Sequence, residues 1–167
     1  MQAAELVSEL LSATPHDLTG RFETTFHTGS PVETGAFAFR DRDHWFVAVD
    51  GGPTILSTPR SSTTTVGQST ESGPPMRHLP SRAPWDLIVP STARIFGRPD
   101  DDWMVVGVQP SDHGLIELKL ARTDGDERAT ALVDQRCGVL LAISTPSFHQ
   151  SAVVDTEPNQ DLLGKIA

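Results

Sequence analysis

After Asp17 the chain leaves helical spacing and alternates every second residue, and this switch limits its fold more than any other feature. In DLTGRFETTFH, Leu18, Phe22 and Phe26 share one side of an extended chain, while Arg21, Glu23 and His27 point the other way. A period of two is the period of a strand with one face buried. The pattern returns in VETGAFAFR, HWFVAVDGG, PTILSTP, DDWMVVGVQP, HGLIELKLART, ERATALVDQ, GVLLAIS and SFHQSAVVDT. Most of these runs are joined by short pieces (RDRD, DGGP, PSD, DGD, QRCG, TP) rich in the Asp, Gly and Pro that tight turns use.

Outside the strands, Ala3, Leu6, Val7, Leu10 and Leu11 lie on one face at helical spacing, with Glu5, Ser8, Glu9 and Ser12 opposite. Thr14-Pro15 ends that helix, and a helix so short needs its apolar stripe docked on a sheet to persist. Residues 60–84 are Ser-, Thr-, Gly- and Pro-rich with few apolar side chains, which predicts a mobile loop, with a functional lid as the alternative. WDLIVPSTARIFGRP reads as a short helix or a covering loop, and NQDLLGKIA as a closing helical turn or two.

Together these signals predict a single domain over 1–167. Its class is mainly β (α+β): a strongly curved, unclosed antiparallel β-sheet, or half-barrel, of about nine or ten strands with an N-terminal helix and covering loops or short helices. WMVVGV, VLLAI and WFVAV are apolar on both sides, so they belong between two layers. The hollow face of such a sheet is where an apolar ligand would sit, and the candidate lining residues are Phe22, Phe37, Val47, Ile55, Ile116, Leu118 and Leu141.

Charge removes some functions. With 13 Lys+Arg against 22 Asp+Glu the net charge is −9, a field that repels phosphate backbones, so no nucleic-acid partner is expected. No stretch approaches the roughly 18 apolar residues of a membrane span. The N-terminal MQAAELVSELLSAT lacks the basic and continuous apolar regions of a secretory leader. The expected compartment is therefore cytoplasmic as written, and extracytoplasmic if a leader has been trimmed.

The chemistry-bearing residues offer little. Cys137 is the single cysteine, which leaves no internal disulfide and no zinc site built on several thiolates. In VDQRCGVLLAIS its neighbours Asp134 and Gly138 predict a hairpin turn closed by a left-handed glycine, with Cys137 at an exposed corner. The histidines His16, His27, His44, His78, His113 and His149 show no helical metal-pair spacing. The Asp/His pairs in RDRDH and DHG fall at turns, and PDDDW reads as a solvated acidic turn. No nucleophile elbow, phosphate-binding loop or dinucleotide fingerprint occurs. No catalytic residue, metal ligand or cofactor is assigned.

GRFETTF, the aromatic run AFAFRDRDHWFVAV and the DGGPTIL hairpin resemble the first strands of the LolA-like, lipoprotein-sorting carrier superfamily. ELKLARTDGDERATALVDQRCGVLLAIS resembles its later hairpins, with Cys137 where the family often has Thr. The resemblance covers residues 17–58 and 102–156 and implies an open curved sheet with helices plugging its hollow face. It implies a non-catalytic protein that binds a lipid, an acyl chain or a lipidated partner. The alternative is a structural or regulatory protein-interaction module with a filled core. Either leaves room for a homo-oligomer, and an enzyme using an Asp/His loop pair stands a distant third.

Overall fold

The computed structural model describes residues 2–28 and 32–167. Helix α1 (Ala3–Ser12) leads into strands β1 (Leu18–Phe26), β2 (Glu33–Phe39), β3 (Trp45–Val49), β4 (Thr54–Ser57), β5 (Ser62–Val66) and β6 (Ser69–Gly73). A short helix α2 (Trp85–Ile88) and a 3-10 turn (Pro90–Thr92) follow. Then come β7 (Trp103–Pro110), β8 (Ile116–Arg122), β9 (Arg128–Asp134), β10 (Val139–Ser144), β11 (Phe148–Val154) and helix α3 (Gln160–Gly164).

The strands form one open antiparallel sheet in the order β6-β5-β4-β3-β2-β1-β11-β10-β9-β8-β7. Each half is a meander of consecutive hairpins, as the short turns require. The first and last strands meet at the centre, Phe22 opposite Ala152 and Phe26 opposite Phe148. The expected single meander is thus two meanders stitched together by β1 and β11. The segment between β6 and β7 carries the chain from one edge of the sheet to the other.

Eleven strands stand against the nine or ten expected, and the difference lies in the segment read as a loop. Residues 62–73 form the hairpin β5–β6, turned at Gly67 with φ +58°. The alternation that marks other strands is missing because β6 is exposed along its whole length. β-branched threonines take its place, with Thr65 and Thr70 hydroxyls 3.1 Å apart across the pair.

On the inner face, β1 and β2 pack by exchange of glycine and phenylalanine. Gly20 is opposite Phe37, and Phe22 is opposite Gly35. A Cβ at Gly35 would lie 2.6 Å from the Phe22 ring, and one at Gly20 would lie 2.9 Å from the Phe37 ring. Each ring therefore lies close over the neighbouring strand at a position where only glycine leaves room.

The hollow is plugged. Residues 83–95 bring Ala83, Trp85, Leu87, Ile88, Val89, Ala93 and Ile95 into one cluster with Phe22, Phe37, Phe39, Trp45 and Leu118. Trp85 sits with its ring 4.8 Å from that of Trp45 and 5.9 Å from that of Phe39. Leu6 and Leu10 of α1 complete this core, as the helical spacing predicts. On the outer face, Leu163 and Ile166 of the C-terminal segment cover Ala38 and Phe46. The Asn159 side chain starts α3 by accepting from the amides of Asp161 and Leu162 at 3.0 and 3.1 Å.

Candidate functional site

The inner-face candidates share one core. Phe22, Phe37, Val47 and Leu118 are buried in it, and Ile55 and Ile116 pack against it. They share this core with the plug residues Trp85, Leu87 and Ile88, so the plug occupies the hollow that these residues were expected to line. Leu141 lies elsewhere, and this is a correction. A bulge between Leu140 and Ala142 shifts the register by one, so Leu140 joins Ile143 on the inner face while Leu141 turns outward. Leu141 borders a surface groove with Cys137, Val153 and Asp155.

A cleft remains beside the plug, with a volume of about 360 Å³. The sheet supplies Phe26 from the end of β1, Phe148 and Gln150 from β11, Ile143 and Thr145 at the end of β10, and Trp103 at the start of β7. The plug supplies Asp86, Ala93, Arg94 and Ile95, Ser81 and Arg82 come from just before it, and Asp102 lies at the edge. Phe26 and Phe148 are register partners and make one aromatic wall. The Arg122 guanidinium stacks over Trp103, 5.6 Å from the ring centre.

Polar groups in this cleft are unevenly satisfied. At the rim, Arg82 pairs with Glu33 at 2.6 Å. Arg94 donates to the Asp100 carbonyl at 2.8 Å and lies 3.6 Å from Asp102. Deeper in, Gln150 Oε1 is buried with no hydrogen-bond partner among the described residues. Among the described residues, Asp86 accepts only from the Thr92 hydroxyl, at 3.3 Å. Burial pushes the Asp86 carboxyl up from its ordinary 3.8 to about 6, with the Thr92 bond pulling weakly the other way. A partly apolar cleft with a few convergent polar groups is what a small-molecule site looks like. Sequence reading missed it because its wall joins the ends of β1, β7, β10 and β11, which are far apart in the chain.

Other candidates resolve into structural roles. Cys137 sits exposed at the turn, with Gly138 at φ +67° donating to the Asp134 carbonyl at 3.0 Å. Burial and the nearby Asp134 carboxylate push its thiol up, the opposite of what a nucleophile needs. His44 Nδ1 lies 2.9 Å from Asp41, a contact within one turn. His113 occupies a left-handed turn position at φ +58°. Among the described residues no group of His, Cys, Asp and Glu could hold a metal ion.

PDDDW departs from the solvated acidic turn expected. The Asp101 side chain is only 3% exposed and is paired with Arg98 at 3.0 Å. It accepts from the backbone amides of Phe96 and Arg98 at 2.9 and 3.2 Å. Arg98 also donates to the carbonyls of Ser91, at 2.7 Å, and Ala93. The acidic cluster thus fixes the end of the plug. Its burial follows from tertiary contacts that a run of aspartates does not announce.

Among the described residues no helix is long and apolar enough to cross a membrane. No family model matches the chain, and no curated protein matches it. Among solved structures, the chain is similar to a LolA superfamily protein from Nitrosomonas europaea, at 9% identity over 96% of this chain and 96% of that chain, with a TM-score of 0.41. At that identity and overlap the likeness assigns neither a function nor site residues.

Proposed function

We propose that this chain is a non-catalytic binding protein that takes an apolar chain, such as that of a small amphiphile or lipidated partner, into the cleft between plug and sheet. The observation that carries the reading is the cleft itself. At about 360 Å³ it is near the lower end of the roughly 300–1,000 Å³ of small-molecule sites. Phe26, Phe148, Ile143, Trp103 and Ile95 give it an apolar wall, with polar groups confined to a few positions. The volume suits a single chain rather than a multi-chain lipid.

The test is titration with an environment-sensitive naphthylamine dye, followed by displacement with alkyl compounds. Phe26 is 43% exposed at the mouth, so Phe26→Asp introduces a charge there at little cost to the fold. Dye affinity is expected to fall about tenfold or more in this variant, with an unchanged thermal midpoint. A second reading, a protein-interaction module, is favoured by the filled inner face. A protein that takes up no dye, or binds it equally well with Phe26→Asp, belongs to that second reading.

A further inference from the structure

The outer face of the sheet carries a separate, open concavity of about 630 Å³ over β8, β9 and β10. Its floor follows from the strand register. Lys119 lies opposite Thr130, and Thr130 lies opposite Ser144, so these side chains form one row across three strands spaced about 4.8 Å apart. Their neighbours Leu118, Leu120, Ala129, Ala131 and Ile143 are buried on the inner face, which turns the row outward. Arg128 stands two residues before Thr130 on β9 and shares that face. Val106 of β7 and Pro146, just after β10, also line the concavity.

The donors here are only partly used. Arg128 donates through Nη1 to the carbonyls of Asp126 and Glu127 at 3.1 and 3.2 Å, and it has no ion-pair partner among the described residues. The Thr130 and Ser144 hydroxyls make no hydrogen bond among the described residues. Lys119 pairs with Glu117, whose carboxylate also accepts from Gln109 at 2.8 Å. The sign of the lining sets this place apart. The cleft beside the plug carries Asp86 and Asp102, and the groove at Cys137 carries Asp134 and Asp155. Here the lining has two cations and, among the described residues, no carboxylate; Glu117, Asp126 and Glu127 stand outside it. In a chain of net charge −9, that is a local exception to the overall field.

We propose that this concavity binds the phosphate of a phosphomonoester. A phosphomonoester presents three terminal oxygens, enough to accept from the Lys119 ammonium, the Arg128 guanidinium and the two hydroxyls, whereas a planar carboxylate presents two. The free Nε and Nη2 of Arg128 supply the paired donors that such oxygens accept best. A long polyphosphate backbone would instead meet the repulsion of the whole chain.

The experiment titrates ¹⁵N-labelled full-length protein with phenyl phosphate in low-salt buffer at about pH 7.5, where the ester is largely a dianion. Saturable amide shifts centred on Lys119, Thr130 and Ser144 are expected, with benzoate binding more weakly and benzyl alcohol producing none. Arg128→Gln should weaken phenyl phosphate about tenfold and Thr130→Val about threefold, the loss of a charged and a neutral hydrogen bond respectively. Arg60→Gln, in the distant β4–β5 turn, should change nothing. Thermal midpoints should stay at the wild-type value in all three variants, since the substituted side chains lie on the solvent face. Vesicles of phosphatidylcholine with or without phosphatidic acid separate the two sources of this chemistry. Cosedimentation that requires phosphatidic acid and is lost in Arg128→Gln assigns a lipid headgroup, and soluble binding without cosedimentation assigns a free ester. The proposal is overturned if no saturable shift appears at the row, if benzoate binds as tightly as phenyl phosphate, or if Arg128→Gln and Thr130→Val keep the wild-type affinity. None of these outcomes bears on the cleft, which lies on the other face of the sheet and is tested through Phe26.

Discussion

At the scale of single residues, burial and charge make Asp86 the clearest reporter of this structure. It holds its proton more tightly folded than unfolded, so its favourable contribution is complete below pH 3.8 and is lost as pH rises through about 6. A rise from 3.8 to about 6 is equivalent to roughly 3 kcal/mol. Asp17, Asp41 and Asp134 act in the opposite sense. Hydrogen bonds from Arg40, from His44 and the Asp43 and His44 amides, and from Arg136, respectively, hold their carboxyls below the usual range. The comparison that isolates Asp86 is therefore the difference in urea stability between wild type and Asp86→Asn across about pH 4–8. The variant should gain on the wild type as pH rises, and a flat difference would contradict a buried Asp86. Cys137→Ser should move stability by less than about 0.5 kcal/mol and leave dye binding unchanged, because the corner position needs only a small side chain. Gly138→Ala should cost about 1–2 kcal/mol, since φ is +67° there and the new Cβ would press on Ala13 at 3.0 Å.

Among the elements, the sheet is far from uniform. β1 and β2 are locked by the reciprocal glycine–phenylalanine packing, whereas β5 and β6 project polar side chains and bury little. Amide hydrogen exchange should therefore reach β6 first and β1 and β11 last, since local opening is cheapest where few apolar contacts break. Protection of β6 equal to that of β1 would contradict this picture. Gly35→Ala should cost about 1–3 kcal/mol, read as a lowered midpoint in urea, because the new Cβ would press on the Ala48 carbonyl oxygen and lie 2.6 Å from the Phe22 ring. The visible strands were those with one face buried, such as ETGAFAF. STTTV and STESG carry no alternation because neither of their faces is core, so a run of polar threonines read as loop. The same logic explains Leu141: VLLAIS declares a strand, but a continuous apolar run cannot say where a bulge changes which side faces in.

For the molecule as a whole, the decisive contact is the seam between β1 and β11, formed by residues at opposite ends of the chain. Non-local pairing of this kind slows folding, so refolding followed by tryptophan fluorescence should take about milliseconds to seconds rather than microseconds. The local chemistry of the sequence determined the hairpins, the N-terminal helix, the covering segment around Trp85 and the turn at Cys137, because periodicity and turn residues act over a few neighbours. It also separated most inner-face residues from outer ones. Only the tertiary structure decided that the sheet joins its two meanders through its termini, that the plug fills the hollow, and that a cleft survives beside it. Those outcomes depend on whether Trp85, Leu87 and Ile88 fit the space left by Phe37, Trp45 and Leu118. Close packing of side chains distant in sequence is a property of volume and shape, which alternation and turn signals do not encode.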